Sequence, residues 1–271
     1  MQNAVIKYEP YGKRHLLPGV MPFTIGTLLY LTALSPLLPQ VSRIPVLIIF
    51  FILTILAVAV ISALAASLLQ TRITRWRLML PPSLLTAGAF MFHLMVGSPS
   101  ARFITVTATM LLLFGFVLRL DALKASADTT QESVLFYGHV ISLIGLFFVG
   151  VFGFGIKQFI QFPTFVTAFL LGGLMFAVAY EALIPIMITP PHLRAVAAAA
   201  LGVIGTEFFF ALSFLPTPFI VNAAVLIIVF FAGLRAVSRI LRGDSIFLGL
   251  RIELALTLVL IVLIMATARW I

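Results

Sequence analysis

The stretch from Ile44 to Thr71, IPVLIIFFILTILAVAVISALAASLLQT, runs between Arg43 and Arg72 and contains no charged residue. A helix rises 1.5 Å per residue and the hydrocarbon core of a bilayer is about 30 Å thick, so about 20 apolar residues cross it. The run is long enough to span and far longer than a barrel strand, which excludes a β-barrel. In hydrocarbon every backbone N–H and C=O must be bonded within the protein, and a single uninterrupted segment achieves this as a helix. Carried outward in both directions, the same reading predicts nine spans, at 20–38, 44–69, 78–97, 102–119, 134–156, 162–188, 194–215, 218–237 and 247–268. The expected fold class is all-α: a polytopic integral membrane helical bundle forming one transmembrane domain over 1–271.

The bulk composition agrees. The chain has 271 residues, 62% hydrophobic and 9% charged, with a mean hydropathy of +1.23. A soluble domain is about 45–50% apolar and about 25% charged. So few charges cannot solvate so much apolar surface, which excludes a soluble globular protein and a disordered chain. The absence of cysteine removes disulfide scaffolds, thiolate metal sites, dithiol redox chemistry and cysteine nucleophiles. Lys7, Lys13 and Arg14 precede the first apolar run as in a signal peptide. That run is too long for an h-region and lacks a small-x-small cleavage site, so it reads as a span.

Charge supplies the expected orientation. There are 17 Lys+Arg against 8 Asp+Glu, a net charge of +9. No basic stretch carries a nucleic-acid recognition motif, so the excess is read as topology. With nine spans and a cytoplasmic N-terminus, thirteen basic residues fall inside: Lys7, Lys13, Arg14, Arg72, Arg75, Arg77, Arg119, Lys124, Arg194, Arg235, Arg239, Arg242 and Arg251. Only Arg43, Arg102, Lys157 and Arg269 fall outside. The bias predicts N-in and C-out, with anionic headgroups as partners of the cytoplasmic face. Short loops and this bias suit the plasma membrane of a bacterium or archaeon.

Three local features refine the picture. The polar segment Asp121–Glu132, DALKASADTTQE, reads as a solvated connection or as an extension of the preceding helix. The segment 238–249, SRILRGDSIFLG, interleaves basic and apolar residues and suits either a short segment in the headgroup region or an ordinary connection with snorkelling side chains. Gly138, Gly145, Gly150, Gly153 and Gly155 crowd the fifth span, which predicts a central packing helix.

Ionisable groups inside a bilayer cost about 2.5–3.5 kcal/mol each on the insertion scale, so they are expected to pair, face the interior or line a cavity. The candidates are His93, His139, Glu181, Glu207, Asn222, Arg251 and Glu253, with Arg119 near the surface. Helical rise sorts them by depth from the cytoplasmic face: His139 at about 8 Å, Glu181 at about 10 Å and Glu253 at about 8 Å form an inner layer with Arg251 and Arg119. Glu207 at about 19 Å and His93 at about 22 Å lie deeper, with Asn222 near the external end of its span. His139 and Glu181 share a level and are the expected specific pair. Glu181 also ends the small-residue stripe Gly173, Ala177, Glu181, Pro185, and Pro185 withholds the N–H that would bond the Glu181 carbonyl. His93 belongs to the small and polar stripe Thr86, Ala89, His93, Gly97. Arg251 and Glu253 are two residues apart and point away from one another, which leaves Arg119 as the partner of Glu253 by depth.

No cofactor is expected. His93 and His139 differ by about 14 Å in depth, too far to share a haem iron. No lysine sits inside a span for a retinal Schiff base. Asp121, Asp128 and Asp244 are unclustered loop residues, unlike the aspartate groups that hold divalent ions against diphosphate. HExxH, G-x-S-x-G and Walker motifs are missing. Ser142 near His139 reads as a back-bonding helix serine rather than a nucleophile. Intramembrane acids without a catalytic cluster suit a small permease or proton-coupled transporter, with Glu181 and Glu207 as proton or substrate sites and His139 as relay. A non-catalytic subunit or assembly factor, bound to a membrane partner or a second copy, is the alternative, followed by a lipid-modifying enzyme using the inner polar layer.

Overall fold

The computed structural model describes residues 16–33, 75–123, 129–185, 190–243 and 246–267, with isolated helical positions between 48 and 58. Most of the 44–69 run and the centre of the 121–132 connection therefore lie outside the described residues. Eight helices and no strand are present among those described: α1 (Leu16–Ala33), α2 (Arg75–Met95), α3 (Pro99–Leu123), α4 (Thr129–Ile160), α5 (Thr164–Leu183), α6 (Pro191–Leu212), α7 (Phe219–Arg242) and α8 (Ile246–Thr267). Six of them contain segments long and apolar enough to cross a membrane, lying within α2 to α7. The chain is a multi-pass membrane protein.

The helix ends follow local sequence. Pro163, Pro190 and Pro218 each occupy the position before a helix, where proline's fixed φ and missing N–H cost nothing. α7 ends at Gly243, whose φ of 75° is the left-handed conformation glycine adopts without a Cβ clash, and whose N–H bonds the Ile240 carbonyl at 3.1 Å. The basic stretch 238–242 is thus the last turn of α7. α3 continues to Leu123, so the expected 121–132 loop is partly helix.

Packing centres on α4, which touches α2, α3, α5 and α7. Two apolar cores meet on it: one draws mainly on α4 to α7, the other on α1 to α4. α2 packs tightly against α4. A Cβ on Gly145 would lie 2.8 Å from the Leu84 carbonyl carbon, and one on Gly88 would lie 2.5 Å from the Gly145 carbonyl oxygen. Without a hydrophobic force between helices in lipid, such contact supplies the dispersion energy that holds them together. α5 and α6 cross as closely at Gly172 and Gly202, where a Cβ on Gly202 would lie 2.9 Å from the Gly172 carbonyl oxygen. The Thr206 hydroxyl bridges the same crossing, donating to Gly202 O at 2.9 Å with Ala168 O at 3.4 Å.

Candidate functional site

Three helices bring Arg77, His139 and Glu181 together. Arg77 lies in the first turn of α2, His139 near the start of α4 and Glu181 in the last turn of α5. Glu181 is 1% exposed, among the most deeply buried side chains described. Its Oε2 lies 3.1 Å from His139 Nε2, and its Oε1 lies 3.6 Å from Arg77 Nε. The first is within hydrogen-bond length but out of line for an aligned bond; the second is an ion pair beyond hydrogen-bond length. The carboxylate thus faces one fixed cation and one group that is charged only when protonated. Exposure falls steeply across the cluster: the His139 side chain is 22% exposed and that of Glu181 is 2%.

The backbone around the cluster is also polar. Pro81 and Pro82 have no N–H, so the carbonyls of Arg77 and Leu78 lose their donors four residues on. Thr86 donates back to Pro82 O at 2.7 Å. The Glu181 carbonyl, expected to be freed by Pro185, instead accepts from the N–H of Ile184 at 3.3 Å, because α5 closes with a tighter turn at Leu183 rather than running on to 188. The Ile184 carbonyl is capped in turn by Arg194 Nη1 of α6 at 2.7 Å. The carbonyls whose usual donor is replaced by proline inside a helix thus belong to α2, the helix that carries Arg77.

Glu181 faces the interior as expected, but the stripe it ends is not packed along its whole length. Gly173 is exposed and a Cβ there would meet nothing within 4 Å; Gly172, one residue earlier, makes the close helix contact. One residue is about 100° of rotation. Glu181 is buried with Val178 and Ala179 against neighbouring helices.

The remaining groups are placed apart. His93 is 4% exposed, with neither ring nitrogen hydrogen-bonded, on the buried stripe with Leu85 and Ala89 near the opposite end of α2. Asn222 is buried in the first turn of α7 and accepts a hydrogen bond from the Thr217 hydroxyl. Arg119 donates to Ser133 Oγ and stacks 5.8 Å from the Tyr137 ring, so its contacts are polar and aromatic neighbours on α4. Arg251 is exposed, and the Glu253 side chain lies outside the described residues. Glu207 is exposed on α6, because the packed face of that helix is Ala198, Leu201, Gly202, Gly205 and Phe209. Gly205 and Phe209 are each two residues away, about 200° around the helix.

Arg77 is the residue the sequence reading missed, since it was counted among the charges that set topology. A signal was present: Arg77, Pro81, Leu85, Ala89 and His93 recur every four residues, and all are buried. Among the described residues no three His, Asp or Glu side chains are grouped to hold a metal ion. No protein-family model, curated protein or solved structure matches the chain.

Proposed function

We propose that the protein is a proton-coupled membrane carrier with nine spans, a cytoplasmic N-terminus and an external C-terminus, in which Glu181 is the protonatable switch. The distribution of Lys and Arg supports this orientation, which sets the Arg77, His139 and Glu181 cluster at the cytoplasmic end of the bundle. The observation that carries the reading is the burial of one carboxylate between an arginine and a histidine from two other helices.

With Arg77 charged, His139 neutral and Glu181 ionised, the cluster carries no net charge. One added proton raises it to +1 in a low-dielectric site, a state that favours rearrangement. His139, the more exposed partner, receives the proton from water and passes it across the 3.1 Å contact to Glu181 Oε2. A neutral Glu181 no longer attracts Arg77, so the electrostatic tie between α2 and α5 weakens. The proton thus selects between two arrangements of α2 relative to α5, which is what coupling requires.

The test is uptake of a panel of small solutes into proteoliposomes under an imposed pH gradient. Gradient-driven uptake by the wild type that disappears in Glu181→Gln, while gradient-independent exchange persists, supports the reading. Gradient-driven uptake that survives Glu181→Gln contradicts it.

A further inference from the structure

Glu207 poses a separate problem. It is exposed on α6 and has neither a hydrogen bond nor an ion pair among the described residues. It lies five residues before the end of α6 at Leu212, about 8 Å along the axis. A carboxylate on the outer face of a spanning helix calls for a counter-charge. Beside it a groove of about 280 Å³ runs between α5 and α6. Ala168, Thr206 and Ala211 line it together with Phe165, Phe169 and Phe210, whose exposed rings rim it. The small side chains leave the space. The rings stand out from the bundle, with Phe169 73% exposed.

We infer that this groove binds a hydrophobic organic cation that reaches it through the surrounding bilayer. Aromatic faces attract cations through their quadrupoles, most strongly when desolvated, and the carboxylate supplies the opposite charge. The groove is open and, at about 280 Å³, just below the usual size of an enclosing ligand pocket, so it suits a small molecule that stays partly in lipid. A partner helix is disfavoured by the rim, because tight association in lipid uses small residues and these are bulky aromatics. A zwitterionic lipid headgroup is disfavoured by charge and depth: its phosphate would follow its ammonium toward Glu207, and the carboxylate lies below the helix end. The required occupant is cationic, apolar around its charge and free of anionic groups. The site is distinct from the Glu181 cluster and does not depend on the proposed carrier role.

The test measures binding of tetraphenylphosphonium to the full chain in lipid nanodiscs, with protein-free nanodiscs as the partition control. Saturable binding, weakened about tenfold or more by Glu207→Gln and partly retained in Glu207→Asp, is expected. A neutral triphenylphosphine oxide should not compete. Phe169→Leu should weaken binding while leaving the elution profile of the protein unchanged, which separates loss of the site from loss of the fold. Binding equal to that of empty nanodiscs, or unchanged in Glu207→Gln, overturns the inference. So does a photo-crosslinker at Phe169 that captures a second copy or another membrane protein over the groove.

Discussion

Replacing Arg77 and Glu181 singly and together measures whether they act as one unit. Two unit charges 3.6 Å apart interact by about 4–5 kcal/mol at an effective dielectric constant of about 20. Both side chains are at least nine-tenths buried, so water screens this little. Removing either partner strands the other, and buried pairs broken in this way lose about 3–5 kcal/mol. Arg77→Met and Glu181→Gln keep the approximate volume, so cavity effects stay small. Each single variant should lose about 3 kcal/mol, and the double variant about the same rather than the sum. The coupling energy is then about 2–3 kcal/mol, at the upper end for contacting residues. Equilibrium unfolding in mixed micelles, titrated with a denaturing detergent, reads all four proteins. Additive losses, with coupling below about 0.5 kcal/mol, would refute the claim that the two helices are tied through this pair.

Other substitutions probe the frame and the switch. His139→Phe should leave the fold intact but displace the midpoint of the pH dependence of solute uptake, checked in the same proteoliposomes, because the Arg77 pair remains while the neighbouring imidazole is gone. Gly145→Val should destabilise by about 2–4 kcal/mol in micelle unfolding, since its first added carbon already meets the α2 backbone. Gly243→Val should cost about 1 kcal/mol or more by the same assay, because the cap needs a positive φ. Glu207→Leu should stabilise the ligand-free protein by about 1–3 kcal/mol in lipid, since it removes a charge from the bundle's outer face.

What could be read in advance depended on which physical constraint governed each feature. Span existence follows from transfer energy and helical rise alone, so α2 to α7 fall close to the apolar runs. The pairing of His139 with Glu181 was legible because rise converts sequence distance from a common membrane face into depth. Rotation about the helix axis was less legible. The stripe Gly173, Ala177, Glu181 is exposed at Gly173 and buried only at Glu181, and Glu207, expected among interior groups, is turned outward by the Gly202 crossing. Those rotations are set by which glycines find a partner helix, a tertiary property. Arg77 escaped notice for a related reason: one arginine at a span's start serves topology or pairing equally well until the neighbour is known. The consequence of a proline depends equally on where the helix ends: Pro185 follows the end of α5, where a tighter turn gives the Glu181 carbonyl a donor in Ile184, while Pro81 and Pro82 lie inside α2.

The central claim is that Glu181 gains and loses a proton while buried between His139 and Arg77. Infrared difference spectroscopy of the protein in lipid, recorded as pH is stepped, reads this directly through the C=O stretch of a protonated carboxyl. A carboxyl band should rise on acidification, be missing in Glu181→Gln, and have a displaced midpoint in His139→Phe. A band that persists unchanged in Glu181→Gln, or a Glu181 that stays in one protonation state throughout the range in which the protein is folded, would contradict it.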